Sequence, residues 1–373
     1  LALNSDFKDP YGASHYPIYN TATFDLKKQE GNERIYDYSR SDNPTRNALE
    51  NIFAKAENGF GCVCTNTGIA AISVLFETVL KNGDTVLVEN DSYGGTYRLL
   101  KVLSEKNNIK TIYTDFTNLN LVEEELKNNE ISLILCESPT NPSLKIIDLE
   151  EIGKLSKKYN TLFAVDNSMA TFVSQKPLDL GADFSVFSTT KFISGHGSVT
   201  AGAVVSKTKE LHQKVRFFAN AYGNAQSPMD VYLTSLGLPT LVYRMKAQEE
   251  SVLKIAKFLK NFPQIKSVKF PALEDFEQYD LAKKQMSIIP AVLTIQLQDE
   301  ETANQLINNT KLFGKKVSFG TSDSRLEIPA KMSHATNSKD SLASKGIDNA
   351  TGRISVGLEN TEDLTEDSSQ ASK

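Results

Sequence analysis

From about residue 45 to 235, short apolar runs alternate with stretches of helical spacing. Thr45, Leu49, Ile52 and Phe53 recur on one helical face, and Asn43-Pro44 ahead of them is a helix start signal. Thr85-Val-Leu-Val-Glu89 predicts a strand, and residues 97–103 predict the helix that follows it. Further strands are expected at 111–114, 133–136, 162–166, 184–187 and 203–205. These runs are too uniformly apolar to leave one face in water, as expected of a parallel sheet covered by helices. Strands separated by helical stretches of this length argue an α/β fold with a doubly wound sheet.

After about residue 236 the texture changes. A long charged amphipathic helix, about 245–262, precedes strands near 265–270, 291–297 and 352–356, the pattern of a smaller α+β domain. The stretch 361–373 is polar and is expected to fray. The chain carries no internal repeat and no low-complexity linker.

Bulk properties narrow the class without choosing a function. At 373 residues the chain has room for about two domains. Its 40% hydrophobic and 23% charged residues are ordinary for a globular protein. A formal charge of -5 spread along the chain gives no nucleic-acid surface. No apolar run nears the roughly 20 residues that span a bilayer, and no signal-peptide pattern opens the sequence. The first residue is Leu1 rather than Met, so the native N-terminus is expected further upstream. Cys62, Cys64 and Cys136 make no disulfide framework. Cys62 and Cys64 read either as half a metal site, with no second pair to complete it, or as buried thiols, the favoured reading. A reducing cytoplasm is the expected compartment.

Open α/β sheets bind ligands beyond the carboxyl ends of their strands. Residues 137–142, 166–168 and 188–191 all sit immediately after strand runs. Lys191 closes Ser188-Thr-Thr-Lys191 and precedes Ser194-Gly-His-Gly197. In a dry pocket a lysine loses charge stabilisation, its pKa falls, and its amine becomes the nucleophile that a Schiff base with an aldehyde cofactor requires. The Ser188 and Thr190 hydroxyls are placed to reach a cofactor phosphate. A solvated loop lysine would give the same tetrapeptide. Asp166 ends the run 162–166, where a carboxylate can pair with a protonated pyridine nitrogen or, equally, cap the next helix. Asn66-Thr-Gly68-Ile69 opens an expected helix whose first N–H groups suit a phosphate. Tyr93, in Ser92-Tyr-Gly-Gly-Thr96, is either a ring to stack on a cofactor or an ordinary turn tyrosine. Taken together, a phosphate cradle, a stacking ring, a ring-nitrogen partner and a Schiff-base lysine follow one another at strand ends.

The sequence resembles the Cys/Met-metabolism pyridoxal-phosphate (PLP) enzymes, which include cystathionine γ-synthase, cystathionine γ- and β-lyases, methionine γ-lyase and homoserine-ester sulfhydrylases. The motifs that carry the resemblance run from Pro17-Ile-Tyr-Asn-Thr-Ala-Thr-Phe24 to Ser355-Val-Gly-Leu-Glu359. Between them stand Tyr38-Ser-Arg-Ser-Asp-Asn-Pro-Thr-Arg46, Tyr93-Gly-Gly-Thr96, Glu137-Ser-Pro-Thr-Asn-Pro142, Ser188–Lys191 and Arg353-Ile-Ser-Val-Gly357. The resemblance implies the aspartate-aminotransferase-like fold (fold type I), with the cofactor on Lys191. It implies phosphate contacts from Gly68, Ile69, Ser188 and Thr190, and Tyr38 and Arg40 reaching across a dimer interface to the neighbour's phosphate. Asn141 would lie near the cofactor's phenolic oxygen, Arg353 would clamp the substrate α-carboxylate, and Ser318 would help place that carboxylate and the lysine. Freed Lys191 would take the Cα proton and move it on, helped by Tyr93 and the neighbour's Tyr38. The implied organisation is an N-terminal arm (1–44) on the neighbouring subunit, a PLP-binding domain (45–235) and a C-terminal domain (236–373). The assembly would be a homodimer at least, and a homotetramer by family habit.

Two departures bear on substrate. The family commonly has Arg-Gly-Leu where this chain has Leu236-Gly-Leu238, and Ser-Leu-Gly-Gly-x-Glu-Ser-Leu where it has Ser318-Phe-Gly-Thr-Ser-Asp-Ser-Arg325. Asp323 replaces a glutamate that faces the distal end of the substrate, and Arg325 adds a positive charge. Methionine γ-lyases typically carry a cysteine at the position of Gly95. Asp37, Thr65-Asn-Thr-Gly68 and Tyr93–Arg98 resemble bacterial cystathionine γ-synthases, with Arg98 and Asp37 placed to hold the charges of a second amino acid. The expected activity is therefore γ-replacement on a homoserine ester by cysteine. Cystathionine γ-lyase is the alternative, then β-lyase or sulfhydrylase. A non-catalytic regulator on the same fold is the reading from another class. His196 and His334 lie in family motifs and are expected to pack or hydrogen-bond.

Overall fold

The computed structural model describes residues 11–32, 34–334 and 346–371, so the first ten residues of the expected arm and the last two of the tail lie outside it. The larger sheet contains β1 (Gly61–Thr65), β2 (Thr85–Glu89), β3 (Lys110–Thr114), β4 (Leu133–Glu137), β5 (Leu162–Asp166), β6 (Phe184–Phe187) and β7 (Gly202–Ser206). The helices among them are α1 (Pro44–Ala56), α2 (Gly68–Val79), α3 (Gly94–Asn107), α4 (Leu119–Asn128), α5 (Leu149–Lys158) and α6 (Thr171–Ser174). Next come α7 (Lys209–Tyr222), α8 (Pro228–Leu236) and α9 (Leu241–Leu259). The second sheet contains β8 (Ile265–Lys269), β9 (Val292–Leu297), β10 (Gly314–Lys315), β11 (Arg325–Glu327) and β12 (Thr351–Ser355). With it go α10 (Tyr279–Gln285), α11 (Glu300–Asn309) and α12 (Thr361–Ala371).

The seven strands lie in the order β1-β7-β6-β5-β4-β2-β3. The five from β3 to β6 are parallel, while β7 runs antiparallel to both its neighbours. The two reversals return β1 to the direction of the parallel strands, so its carboxyl end meets the same edge of the sheet. Side chains alternate faces along a strand, and here they feed two separate cores. Leu87, Ile134, Cys136, Phe163, Val165, Ala203 and Val205 enter one core. Val86, Val88, Leu133, Leu135, Ala164 and Val204 enter the other. This is the doubly covered sheet that the unbroken apolar runs required.

β1 was not among the expected strands. Its Cys62 and Cys64 are buried on the same face as Cys136, so all three thiols are core residues. Among the described residues no group of acids, histidines and cysteines is arranged to hold a metal. β3 departs from the expectation of full burial, since as an edge strand it is only half-covered. The Asn43 side chain accepts from Thr45 N at 2.9 Å, with Pro44 in the first turn, so α1 starts where its signal lies. The stretch expected to fray instead forms α12, with Leu364 and Ala371 buried. Its buried Asp367 accepts the backbone N–H groups of Lys311, Leu312 and Phe313, an anchor that hydrophobic patterning does not register. Among the described residues no helix is long and apolar enough to cross a membrane.

Candidate active site

The carboxyl edge of the larger sheet and one end of the second sheet enclose a cavity of about 330 Å³. Lys191, Asp166, Tyr93, Asn141, Gly68, Ile69, Ser188, Thr190, Ser318 and Arg353 all line it. Six strands deliver these groups. β1 leads to Gly68, β2 to Tyr93, β4 to Asn141, β5 ends on Asp166, β6 leads to Lys191, and β12 carries Arg353.

Lys191 donates from Nζ to the Ser318 hydroxyl at 2.6 Å. Burial pushes its ammonium pKa down to about 8, and the neighbouring Arg353 charge acts in the same direction. A lysine in this state supplies neutral amine near neutral pH. Burial pushes the Asp166 carboxyl up, while the N–H and hydroxyl of Ser168 act against the rise.

Arg353 stands opposite Glu327 in the antiparallel register of β11 and β12. The two form an ion pair of 3.0 Å with side chains 2% and 1% exposed. Arg353 also donates to the Asn141 side-chain oxygen at 2.8 Å and to the Ser318 carbonyl at 2.7 Å. Its Nε is buried without a hydrogen-bond partner, a donor left over for an incoming carboxylate.

At the opposite end, Thr67 caps α2 by accepting from Ala70 N at 3.0 Å. A Cβ on Gly68 would lie 2.6 Å from Ser188 Cβ and 2.9 Å from Ser188 Cα, so only glycine lets the helix start and the lysine loop approach this closely. Thr190 lines the cavity beside Lys191 and is tied to Ala201, just before β7. Its hydroxyl donates to the Ala201 carbonyl at 3.2 Å and accepts from Ala201 N at 2.9 Å. The residues present fit a phosphorylated pyridine aldehyde: a buried amine for its carbonyl carbon, a carboxylate on the same cavity for its ring nitrogen, and a helix start beside a serine for its phosphate.

Other expected residues lie outside the lining of this chain's cavity. Tyr38 is 43% exposed, with the Arg40 guanidinium 5.4 Å from its ring centroid. Arg40 also donates to the Asn220 carbonyl at 2.8 Å. Asp37 and Arg98 are exposed. Asp323 and Arg325 bond each other at 3.0 Å, and Lys316 joins Asp323 at 3.0 Å. Burial would raise the Asp323 carboxyl, but bonds from Arg325, Thr321 and Lys316 hold it well below the usual range. Asp323 and Arg325 thus largely satisfy each other, although the Arg325 charge still disfavours the Lys191 ammonium. Of the histidines, His196 bonds the Ser194 carbonyl at 2.6 Å and His334 bonds the Ser333 hydroxyl at 2.9 Å.

Sequence reasoning missed Glu327, Phe319, Ser333 and two side chains of α9. Arg244 and Gln248 lie one turn apart and buried. Arg244 donates to the carbonyls of Phe192 at 2.9 Å and Ile193 at 3.3 Å, directly after Lys191, and to Gly237 at 2.8 Å. Gln248 donates to the Thr321 carbonyl at 2.9 Å and the Val356 carbonyl at 3.0 Å. One helix face therefore ties the lysine turn to the segments that carry Ser318 and Arg353. The charged Arg244 at helical spacing from core residues was the available signal.

Comparison with known proteins agrees with this geometry. The cystathionine β-lyase of Lactococcus lactis is 36% identical over 362 residues, 96% of this chain and 94% of that protein. The L-methionine γ-lyase of Fusobacterium nucleatum is 39% identical over 374 residues, 97% of this chain and 94% of that protein. The solved cystathionine γ-synthase of Xanthomonas oryzae in complex with cystathionine superposes with a TM-score of 0.95 at 37% identity, covering 99% of this chain and 96% of that one. These relatives are enzymes, which removes the reading as a non-catalytic regulator. The model of the Cys/Met metabolism PLP-dependent enzymes matches residues 1–373, and with the lysine, carboxylate and arginine converging on one cavity, the chain belongs to that family.

Proposed function

We propose that this enzyme makes cystathionine, replacing the γ-substituent of an activated homoserine ester with the thiol of cysteine. The observation that carries the reading is the placing of Lys191 and Arg353 on the two sides of Ser318, one at its hydroxyl and one at its carbonyl. An α-carboxylate held at Arg353 puts Cα beside the lysine amine. When bound, the cofactor supplies an electron sink for negative charge at Cα. Asp166, at the end of β5, would pair with a protonated ring nitrogen. Lys191 takes the Cα proton and carries protons onward along the substrate, which γ-chemistry requires twice. Gly68, Ile69 and Ser188 would hold the phosphate, and Tyr93, which lines the same cavity, would supply an aromatic face for the ring.

A second copy of the chain completes the site in this reading. Tyr38 and Arg40 are exposed and outside this chain's cavity, in keeping with a reach into a neighbour. Asp37 beside them, together with Arg98, would meet the charges of the second amino acid. Exposed Phe217 and Tyr222 on α7 supply apolar surface for a homodimer or a tetramer of two dimers.

The lyase names of the sequence relatives favour a second reading, elimination from cystathionine. Methionine γ-elimination fits less well, because Gly95 stands where methionine γ-lyases typically carry a cysteine. Incubating the cofactor-loaded protein with a homoserine ester and cysteine is expected to yield cystathionine. Cysteine and 2-oxobutyrate from cystathionine, without synthesis, would give the reaction to the γ-lyases. Pyruvate and homocysteine would give it to the β-lyases.

A further inference from the structure

Phe319 has no role in the account so far, yet its ring approaches both cations of the cavity. Its ring centroid is 4.8 Å from Lys191 Nζ and 5.3 Å from Arg353 Cζ. The ring is 4% exposed and packs against Phe192 with centroids 6.1 Å apart. Its loop is held in place on both sides. Ser318 sits at φ 79, in the left-handed region that costs a non-glycine residue, and Arg353 fixes its carbonyl. Gly320, at φ 80, donates to the Ser355 hydroxyl at 3.0 Å, and a Cβ there would lie 2.7 Å from Phe192 N. The ring is thus wedged against the residue that follows the lysine.

An aromatic face attracts a cation, most strongly where water is excluded. The charged groups around Lys191 come from several elements: Arg353 on β12, Glu327 and Arg325 on β11, and Asp166 on β5. Burial and the two arginines disfavour the ammonium, whereas Glu327 and Asp166 favour it. The Phe319 ring adds to the second group and touches Arg353 as well. We propose that Phe319 is a positioning residue that sustains the ammonium form of free Lys191 against the charge of Arg353, and so sets the pH at which the lysine becomes nucleophilic. The inference rests on the reading that Lys191 carries the cofactor.

The test uses the full chain stripped of cofactor, with Phe319 replaced by phenylalanines bearing increasing ring fluorine. Fluorination keeps the shape and drains the ring face of negative potential. The rate at which each protein captures pyridoxal phosphate, read as visible absorbance, is followed against pH. The midpoint is expected to fall stepwise, by about half a unit to one unit across the series. Below the midpoint, capture then runs roughly three- to tenfold faster. A midpoint that does not move with fluorination overturns the proposal. Lys191→Ala is the control: capture with an unchanged band in that variant would instead overturn the assignment of the lysine.

Discussion

Lys191 and Ser318 are joined by a 2.6 Å hydrogen bond, although they come from the two different sheets' surroundings and are 127 residues apart. The bond aims the amine at the space beside Arg353. Ser318→Ala is expected to lower kcat by about tenfold or more, the equivalent of losing one charge-assisted hydrogen bond, with a smaller change in KM. Steady-state kinetics with the favoured substrate pair checks this. Unchanged kcat would remove Ser318 from the site.

Gly68 offers a test of the phosphate end that leaves the lysine untouched. A methyl group there would press on Ser188 Cβ and Cα, separating the α2 start from the lysine loop. Gly68→Ala is expected to weaken cofactor binding by tenfold or more, roughly 1.4 kcal/mol. Titration of the stripped protein with pyridoxal phosphate reads the affinity directly.

How far the sequence revealed this site depends on the physics of each residue. Lys191 and Asp166 were legible because each follows a buried apolar run, and chain direction alone then places them at the ligand edge. β1 was not legible, since Gly61-Cys-Val-Cys-Thr65 is short and its thiols do not announce a strand. The pairing of Asp323 with Arg325 was out of reach because it depends on how one loop folds back on itself. The partnership of Glu327 with Arg353 depends on strand register, which pairs residues 26 positions apart. α12 was misread because part of what anchors it is an aspartate bonded to backbone rather than an apolar stripe.

Arg244 makes a prediction about mechanical support. Burial alone pushes its guanidinium pKa down to about 10, and its donors are spent on three carbonyl groups and the Thr240 hydroxyl. Arg244→Lys keeps the charge but loses the fork, leaving carbonyls around the lysine turn unpaired. The variant is expected to be less stable by about 2–4 kcal/mol in denaturant unfolding and to lose activity beyond that loss of fold. Wild-type stability and kcat would show that the clamp is dispensable.

Glu57 predicts a pH dependence of stability. It is fully buried beneath Asn167, with one oxygen bonded by Ser185 at 3.0 Å and Asn167 at 3.2 Å and the other unpartnered. Burial pushes its carboxyl up to about 8, against the pull of those two bonds. Its folded pKa is raised, so its contribution is full below the unfolded value near 4.3 and is lost as pH climbs toward 8. Glu57→Gln cannot ionise, so its stability relative to wild type is expected to improve across that window by on the order of 2–4 kcal/mol. Urea unfolding of both proteins at pH 5 and pH 8 measures the difference. Equal differences at the two pH values would mean that Glu57 does not titrate there.

The attachment point of the cofactor is the claim on which the rest depends. Reducing the cofactor-loaded protein with borohydride and mapping the modified peptide locates it in one step. The label is expected on Lys191, the lysine that lines the cavity together with Asp166 and Arg353. A label on any other lysine, or an unchanged visible band in Lys191→Ala, would contradict the account.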